Sequence, residues 1–207
     1  MVDTQVRPSD VTKFPIIDAM LGIPREVYVP PALREAAYIG ENLDLGGGRV
    51  LLDPRVFAKM LDALDIQPTD VVLDLGCALG YSTAVLARLA DFVIAVEENS
   101  AMAAEAQALL TEQGIDNASV EAGPIAEGSR TCAPFDIIVV EGAIEALPQL
   151  LVDQLKDGGR IGCIFAEGAL GVVRIGHKVN GRIGWRYSFN AGAPVLRGFV
   201  APRTFAL

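Results

Sequence analysis

Sulfur and imidazole are scarce in this chain of 207 residues. It has three cysteines (Cys77, Cys132 and Cys163) without Cys-x-x-Cys spacing, and one histidine, His177. That inventory leaves little room for a metal cluster or a Ser-His-Asp triad, and no metal is expected. Each thiol lies in or near an apolar segment, which suits reduced, buried cysteines in a cytoplasmic protein. Basic charge is also short, with 17 Lys and Arg against 26 Asp and Glu, a formal net charge of −9. Without a dense basic cluster, nucleic acid and anionic membrane are disfavoured as partners. Long apolar runs are missing as well, because Gly, Asp or Glu interrupts them, which excludes a spanning helix. The opening residues, MVDTQVRPSDVTKF, are too polar for a secretory signal. Repeats, low-complexity tracts and interdomain linkers are absent.

What the chain does have is apolar surface. Hydrophobic residues make up 51% of it, which excludes global disorder, and a chain of this length can bury roughly 70% of its unfolded surface. Residues 1–42 are expected as helical and irregular pieces broken by Pro8, Pro15, Pro24, Pro30 and Pro31, with a short helix at 15–21 between Pro15 and Gly22. Asp53 as N-cap and Pro54 as first helical residue open a helix that puts Val56, Phe57, Met60, Leu61 and Leu64 on one stripe. From residue 70 the pattern changes to strand–turn–helix alternation. Unalternating apolar runs at 71–76, 92–97, 135–140 and 160–165, with ASVEAG at 118–123 between them, suit strands buried on both faces.

This alternation predicts an α/β fold, a Rossmann-like, doubly wound, mostly parallel sheet with strands ending near Leu75, Glu97, Ala122, Val140 and Phe165. Two later strand-like runs, GVVRIGHKV and GRIGWRYSF, flank Asn180-Gly181 and predict a C-terminal antiparallel hairpin at the sheet edge. Trp185, Tyr187 and Phe189 alternate along it and are expected on one face, as core or as an oligomer contact. His177 is expected at an edge or in a loop. The expected organisation is one domain, 1–207: a helical flap and glycine loop (1–68), a βαβ core (69–166) and the hairpin (167–207).

The most informative local stretch is VVLDLGCALGYST, residues 71–83. A buried strand ends in Asp74 and Leu75, Gly76 and Gly80 follow, and a helix opens near Tyr81. Such a turn brings backbone N–H groups and a helix start beside a ligand that crosses the sheet edge. Its Gly-x-Ala-x-Gly spacing is neither a dinucleotide fingerprint nor a P-loop. Glu97 ends the next strand, 17 residues past Gly80, where a carboxylate can accept both hydroxyls of a ribose. Together the turn and Glu97 point to an adenosine-containing ligand.

The segments IIDAMLGIPREVYVP, AYIGENLDLGGGRVLLDPRVFAKMLDAL, VVLDLGCALGYSTAVLARL and APFDIIVVEGAIEALPQLLVDQLKDGGRI follow one another in a specific order. In that order the chain resembles, over nearly its whole length, the protein-L-isoaspartate (D-aspartate) O-methyltransferases, within the S-adenosylmethionine-dependent methyltransferases. The resemblance implies protein repair, by methyl transfer from S-adenosylmethionine to the free α-carboxylate of an isoaspartyl residue in damaged protein. It implies S-adenosylmethionine or S-adenosylhomocysteine as cofactor, with Gly76, Cys77 and Gly80 at the methionine portion and Glu97 at the ribose. Gly123 and Pro124 are then near the adenine, Glu141 and Gly142 flank the cofactor, and Asp74, Tyr81 and Glu98 complete the set.

The departures from that family are chemical. Its loop carries a Thr and a Ser hydroxyl near the substrate carboxylate, at positions held here by Val50 and Leu52, and Asp53 replaces a Gln. Gly-Asp-Gly after the third strand has become Gly123-Pro124-Ile125, and Thr-Ala after the fourth has become Glu141-Gly142. A buried Glu141 needs Arg49, the cofactor's cation or a polar substrate as partner. Arg49 suits a bidentate carboxylate clamp, or a local pair with Asp44, Asp53 or Glu141. Arg49 and Asp53 are therefore the catalytic candidates. Two readings stay open. One is a methyltransferase acting on isoaspartyl peptides or on a less polar acceptor admitted by Val50 and Leu52. The other is a non-catalytic cofactor-binding sensor or partner protein. A protein or peptide substrate is the expected partner, and the edge hairpin is a candidate dimer contact.

Overall fold

A computed structural model describes residues 1–168 and 170–201. Prolines confine regular helix in the first 42 residues to α1 (Phe14–Gly22), which buries Ile16, Ile17, Ala19 and Met20 and includes Gly22 rather than stopping before it. The glycine stretch is a hairpin rather than a loop, formed by β1 (Leu43–Gly46) and β2 (Arg49–Leu51). Gly47 and Gly48 make its tip with φ of +62° and +77°, the left-handed pair that a two-residue hairpin turn requires. α2 (Pro54–Leu64) starts as expected, with the Asp53 carboxylate accepting the Arg55 N–H at 2.8 Å.

The main sheet is built from β3 (Val71–Leu75), β4 (Phe92–Glu97), β5 (Ala118–Ala122), β6 (Phe135–Ile144), β7 (Leu155–Glu167), β8 (Leu170–Val179) and β9 (Arg182–Asn190). Helices α3 (Tyr81–Ala87), α4 (Ser100–Glu112) and α5 (Gln149–Gln154) connect the parallel strands. Strand order is β5-β4-β3-β6-β7-β8-β9, with the first five parallel and the last two antiparallel. Order reverses between β3 and β6, the point of such a sheet outside whose carboxyl ends ligands usually bind. The result is the expected Rossmann-like, mostly parallel sheet with a C-terminal antiparallel hairpin, turned at Asn180 and Gly181 with φ of +50° and +75°.

β3, β4 and β5 end at Leu75, Glu97 and Ala122, as expected, but β6 and β7 overrun Val140 and Phe165. A bulge is the reason. Val139 faces Gly162 and Ala143 faces Ile164, so residues 140–142 of β6 lie opposite Cys163 alone. Beyond the bulge, the Ala143 N–H donates to the Pro194 carbonyl and the Leu196 N–H donates to Ala143, each at 2.9 Å. Residues 194–196 thus line up beside β6 where β3 has already turned away at Gly76. The sequence predicts only a hairpin for residues 167–207. In the structure the chain after β9 returns to the carboxyl end of the sheet and buries Leu196 and Phe199 there.

Three further expectations are corrected. Val173 faces Phe189 while Arg174 faces Tyr187, so Ser188 is an extra residue in β9. One extra residue reverses the alternation. Trp185 packs edge-on against Phe165 at 4.8 Å, while Phe189 joins the core cluster of the opposite face with Val173. Cys77 and Cys163 are buried, but Cys132 is exposed in the turn before β6. His177 sits on the exposed face of β8, inside the sheet rather than at its edge. Among the described residues no helix is long and apolar enough to cross a membrane.

The returning segment depends on a close approach at Gly171, where an added Cβ would lie 2.0 Å from the Ala191 carbonyl oxygen. Gly171→Ala should therefore lower the unfolding free energy in urea by about 1–3 kcal/mol. Gly192→Ala, with nothing within 4 Å of its added Cβ, should stay within about 0.5 kcal/mol of the parent.

Candidate active site

The turn at residues 76–80 leaves β3 at the carboxyl end of the sheet and is held there by the Gly76 N–H, which donates to Val96 O at 2.9 Å. Gly76 and Gly80 have φ of +83° and +92°, a conformation open to glycine at little cost. Their missing side chains also make room for protein. A Cβ on Gly80 would lie 3.2 Å from Ala106 Cβ on α4, and one on Gly76 would lie 3.3 Å from Leu196 Cδ1. At Gly142 the added atom would be 2.6 Å from Leu196. Leu196 therefore sits between the β3 turn and the β6 bulge.

Three carboxylates converge on this end of the sheet, and they differ in what satisfies them. Asp74 is fully buried, and its Oδ2 accepts the hydroxyls of Ser82 and Thr83 at 2.7 Å each. Its Oδ1 has no partner. Burial pushes its pKa up to about 6, against the two hydroxyls, with the charge of Glu97 adding to the rise. Glu141 lies in the β6 bulge, buried, with Oε1 unpartnered. Burial and then Asp74 raise its pKa well above the carboxylate range, while Arg25 opposes the shift.

Glu97 is the satisfied member. Both its oxygens accept from Arg49 Nε, at 3.1 and 3.0 Å, and it also takes the N–H groups of Ala78 at 3.1 Å and Asn99 at 2.9 Å. Arg49 Nη2 reaches Glu98 at 3.0 Å. Arg49 thus pairs with Glu97 and Glu98, and not with Asp44, Asp53 or Glu141 as the sequence suggests. Asp44 accepts from the Gly46 N–H, and Asp53 caps α2 while pairing with Arg55. Sequence proximity fails because the β1–β2 hairpin aims Arg49 across the sheet end, 48 residues along the chain.

Val50 and Leu52 are buried in the core beneath the hairpin. Leu52 is fixed through its carbonyl, which accepts from Arg25 Nη2 at 2.6 Å, while Arg25 Nε donates to Ala37 O at 2.7 Å. The Arg25 guanidinium stands 4.8 Å from the Tyr81 ring centroid, and Tyr28 meets the same ring edge-on at 6.0 Å. Burial lowers the pKa of Arg25, against stabilising charges on Tyr81, Glu141 and Asp53. Arg25 Nη1 and the hydroxyls of Tyr28 and Tyr81 are buried without partners. Arg25, Tyr28, Leu196 and Arg197 are absent from the sequence-based candidates. An arginine enclosed in IPREVYVP was a usable signal for the first. Leu196 and Arg197 depend on the return of the chain, which has no local signature.

Two cavities flank this cluster. One of 470 Å³ lies outside the ends of β4 and β5, bounded by Glu98, Ser100, Gly123, Pro124, Ile125 and Arg197. Another of 260 Å³ is bounded by Gly46, Gly47, Arg49, Glu97, Glu98 and Arg197. Arg197 is common to both. Among the described residues no group of three or more His, Cys, Asp or Glu is arranged to hold a metal ion.

Comparison with known proteins gives a consistent answer. Residues 3–182 match the family model for Protein-L-isoaspartate(D-aspartate) O-methyltransferase. A protein-L-isoaspartate O-methyltransferase of Syntrophus aciditrophicus is 35% identical over 184 residues, covering 87% of this chain and 84% of that protein. One from Roseiflexus castenholzii is 38% identical over 161 residues, covering 78% and 73%. Among solved structures, one from Plasmodium falciparum, assigned as a protein-L-isoaspartate O-methyltransferase in complex with S-adenosyl-L-homocysteine, superposes with a TM-score of 0.79. That match is 21% identical and covers 92% of this chain and 94% of the other.

A carboxyl such as Asp74, whose pKa is higher folded than unfolded, favours folding when protonated. That contribution is fully present below the unfolded value near 3.8 and is lost as pH rises through about 6. Asp74→Asn should therefore be more stable than the parent at pH 8, by about 1–3 kcal/mol, and show no advantage below pH 4. Urea unfolding across this range measures the difference.

Proposed function

We propose that this chain, which belongs to the protein-L-isoaspartate(D-aspartate) O-methyltransferase family, binds S-adenosylmethionine at residues 76–80 and methylates a protein or peptide carboxylate. The observation that carries this reading is the 470 Å³ cavity at the carboxyl ends of β4 and β5, whose Ile125 wall abuts Gly76. It lies where the family resemblance assigns the adenine, and crevices of this kind are the usual ligand sites of such sheets. The charge balance at the other end fits as well. Asp74 and Glu141 each keep a buried oxygen without a partner, and a cationic ligand would relieve both.

When bound, S-adenosylmethionine supplies an electrophilic methyl group on a sulfonium. The chain's own residues would then act mainly by orientation. A carboxylate acceptor is already a nucleophile, so alignment contributes more than proton transfer. That agrees with a site built without histidine. Gly123 and Pro124 would border the adenine and Glu141 the methyl-bearing end, whereas Gly142 is covered by Leu196, 2.6 Å from where its Cβ would lie. Val50 and Leu52 offer an acceptor no hydroxyl. The unpartnered donors available to it are Arg25 Nη1 and the hydroxyls of Tyr28 and Tyr81. Of the two catalytic candidates, Asp53 is committed to Arg55 and the cap of α2, whereas Arg49 retains a place at the ligand side of the hairpin.

A second reading, cofactor binding without turnover, is favoured by the loss of both hydroxyls at residues 50 and 52. Transfer from labelled S-adenosylmethionine to an isoaspartyl peptide separates the two. Measurable transfer is expected from the natural chain, rising at least about tenfold in Val50→Thr, Leu52→Ser if each restored hydroxyl contributes one hydrogen bond. Tight cofactor binding with no transfer by either protein would establish the second reading. Affinity for S-adenosylmethionine should also fall as pH drops through about 6, where Asp74 takes up a proton. Titration calorimetry at pH 5 and 8 measures this.

A further inference from the structure

We propose that Arg49 is an internal occupant of the ribose subsite, and that a ligand enters only by taking Arg49's place on Glu97 as the tip of the β1–β2 hairpin lifts. This rests on the cofactor reading above. Glu97 is fully buried and already receives Arg49 Nε on both oxygens, the Ala78 N–H and the Asn99 N–H. An ionised carboxylate has about four acceptor positions, so none is left for a diol. Of these donors, two are backbone groups of the turns that end β3 and β4, and they stay with the sheet. Arg49 alone comes from a separate element. It is the donor that can leave.

The tip of the hairpin that carries Arg49 is suited to leaving, while its strands stay seated in the core through Leu43, Leu45, Val50 and Leu51. Gly46, Gly47 and Gly48 all have positive φ, and an added Cβ at any of them would meet nothing within 4 Å. Its tip is anchored to the sheet end by the two arms of Arg49, on Glu97 and on Glu98. The 260 Å³ cavity opens directly beside that anchor, between the hairpin and Arg197. It shares Glu98 and Arg197 with the larger cavity. An adenosine with its base in the larger cavity would bring its ribose against the Arg49–Glu97 pair. Binding then includes the free energy of opening, and apparent affinity falls by the fraction of molecules that are open. Arg49 therefore sets both affinity and the order of events, because the hairpin must open before the ribose can be read.

Titration calorimetry with S-adenosylhomocysteine, on the natural chain, Arg49→Gln and Arg49→Lys, tests this, with circular dichroism to verify folding. Expected is an affinity at least tenfold higher for Arg49→Gln, with Arg49→Lys between it and the parent. Hydrogen exchange on the natural chain gives an independent readout. Ligand should speed exchange in residues 46–49, whose anchor is released, while slowing it in residues 76–80. Equal or weaker binding by Arg49→Gln, with the parent binding well, would overturn the proposal and leave the cofactor reading standing. So would protection of residues 46–49 by the ligand. If none of the three folded proteins binds at about 1 mM, both the cofactor reading and the proposal fall. Should Arg49→Gln not fold, Arg49→Lys and the exchange experiment decide alone.

Discussion

One carboxylate, Glu97, organises the carboxyl end of the sheet. Removed from water, an ionised side chain must be paired and hydrogen-bonded or it is strongly destabilising. Glu97 meets that demand by drawing in three elements. The Ala78 N–H fixes the turn after β3, and the Asn99 N–H fixes the start of α4, whose first free N–H groups the Asn99 side chain then caps. Arg49 brings the β1–β2 hairpin down onto both. The shape of the site follows from these bonds, with the hairpin tip held against the sheet end by the Arg49 pair.

The two ends of the crevice are electrically unlike. At the Glu97 end every acceptor is used, and the guanidinium of Arg49 balances the negative charge. At the Asp74 and Glu141 end, two buried carboxyl oxygens lack partners and both groups titrate high. Unsatisfied buried acceptors cost free energy in the resting fold. The Asp74 and Glu141 end therefore carries unmet demand for donors or positive charge, and the Glu97 end carries none.

Much of this was legible in the sequence, and what was not has identifiable causes. Apolar runs from Val71, Phe92 and Phe135 declared buried parallel strands because nothing in them alternates. Asn180-Gly181 declared the hairpin, and Asp53-Pro54 the start of α2, because each is a local chemical requirement. Position alone indicated that Glu97 and residues 76–80 lie at one sheet edge. Its partner was missed, because the hairpin geometry that directs Arg49 depends on three glycines whose tertiary direction no local pattern encodes. The bulges at residues 140–142 and at Ser188 were equally silent. Each is defined by register against a neighbouring strand, which a single strand's pattern does not carry.

The seat of Leu196 has a consequence for how this chain can change over generations. Its side chain fills the volume that a Cβ would need at Gly142 and presses on the corresponding space at Gly76. A larger residue at 142 is viable only alongside a smaller one at 196, and the reverse pairing leaves a void. Positions 142 and 196 therefore share one volume although they lie far apart along the chain, whereas Gly76 is also held to glycine by its φ of +83°. Exchange of the side chain at 196 is in this way tied to the glycine of the β6 bulge.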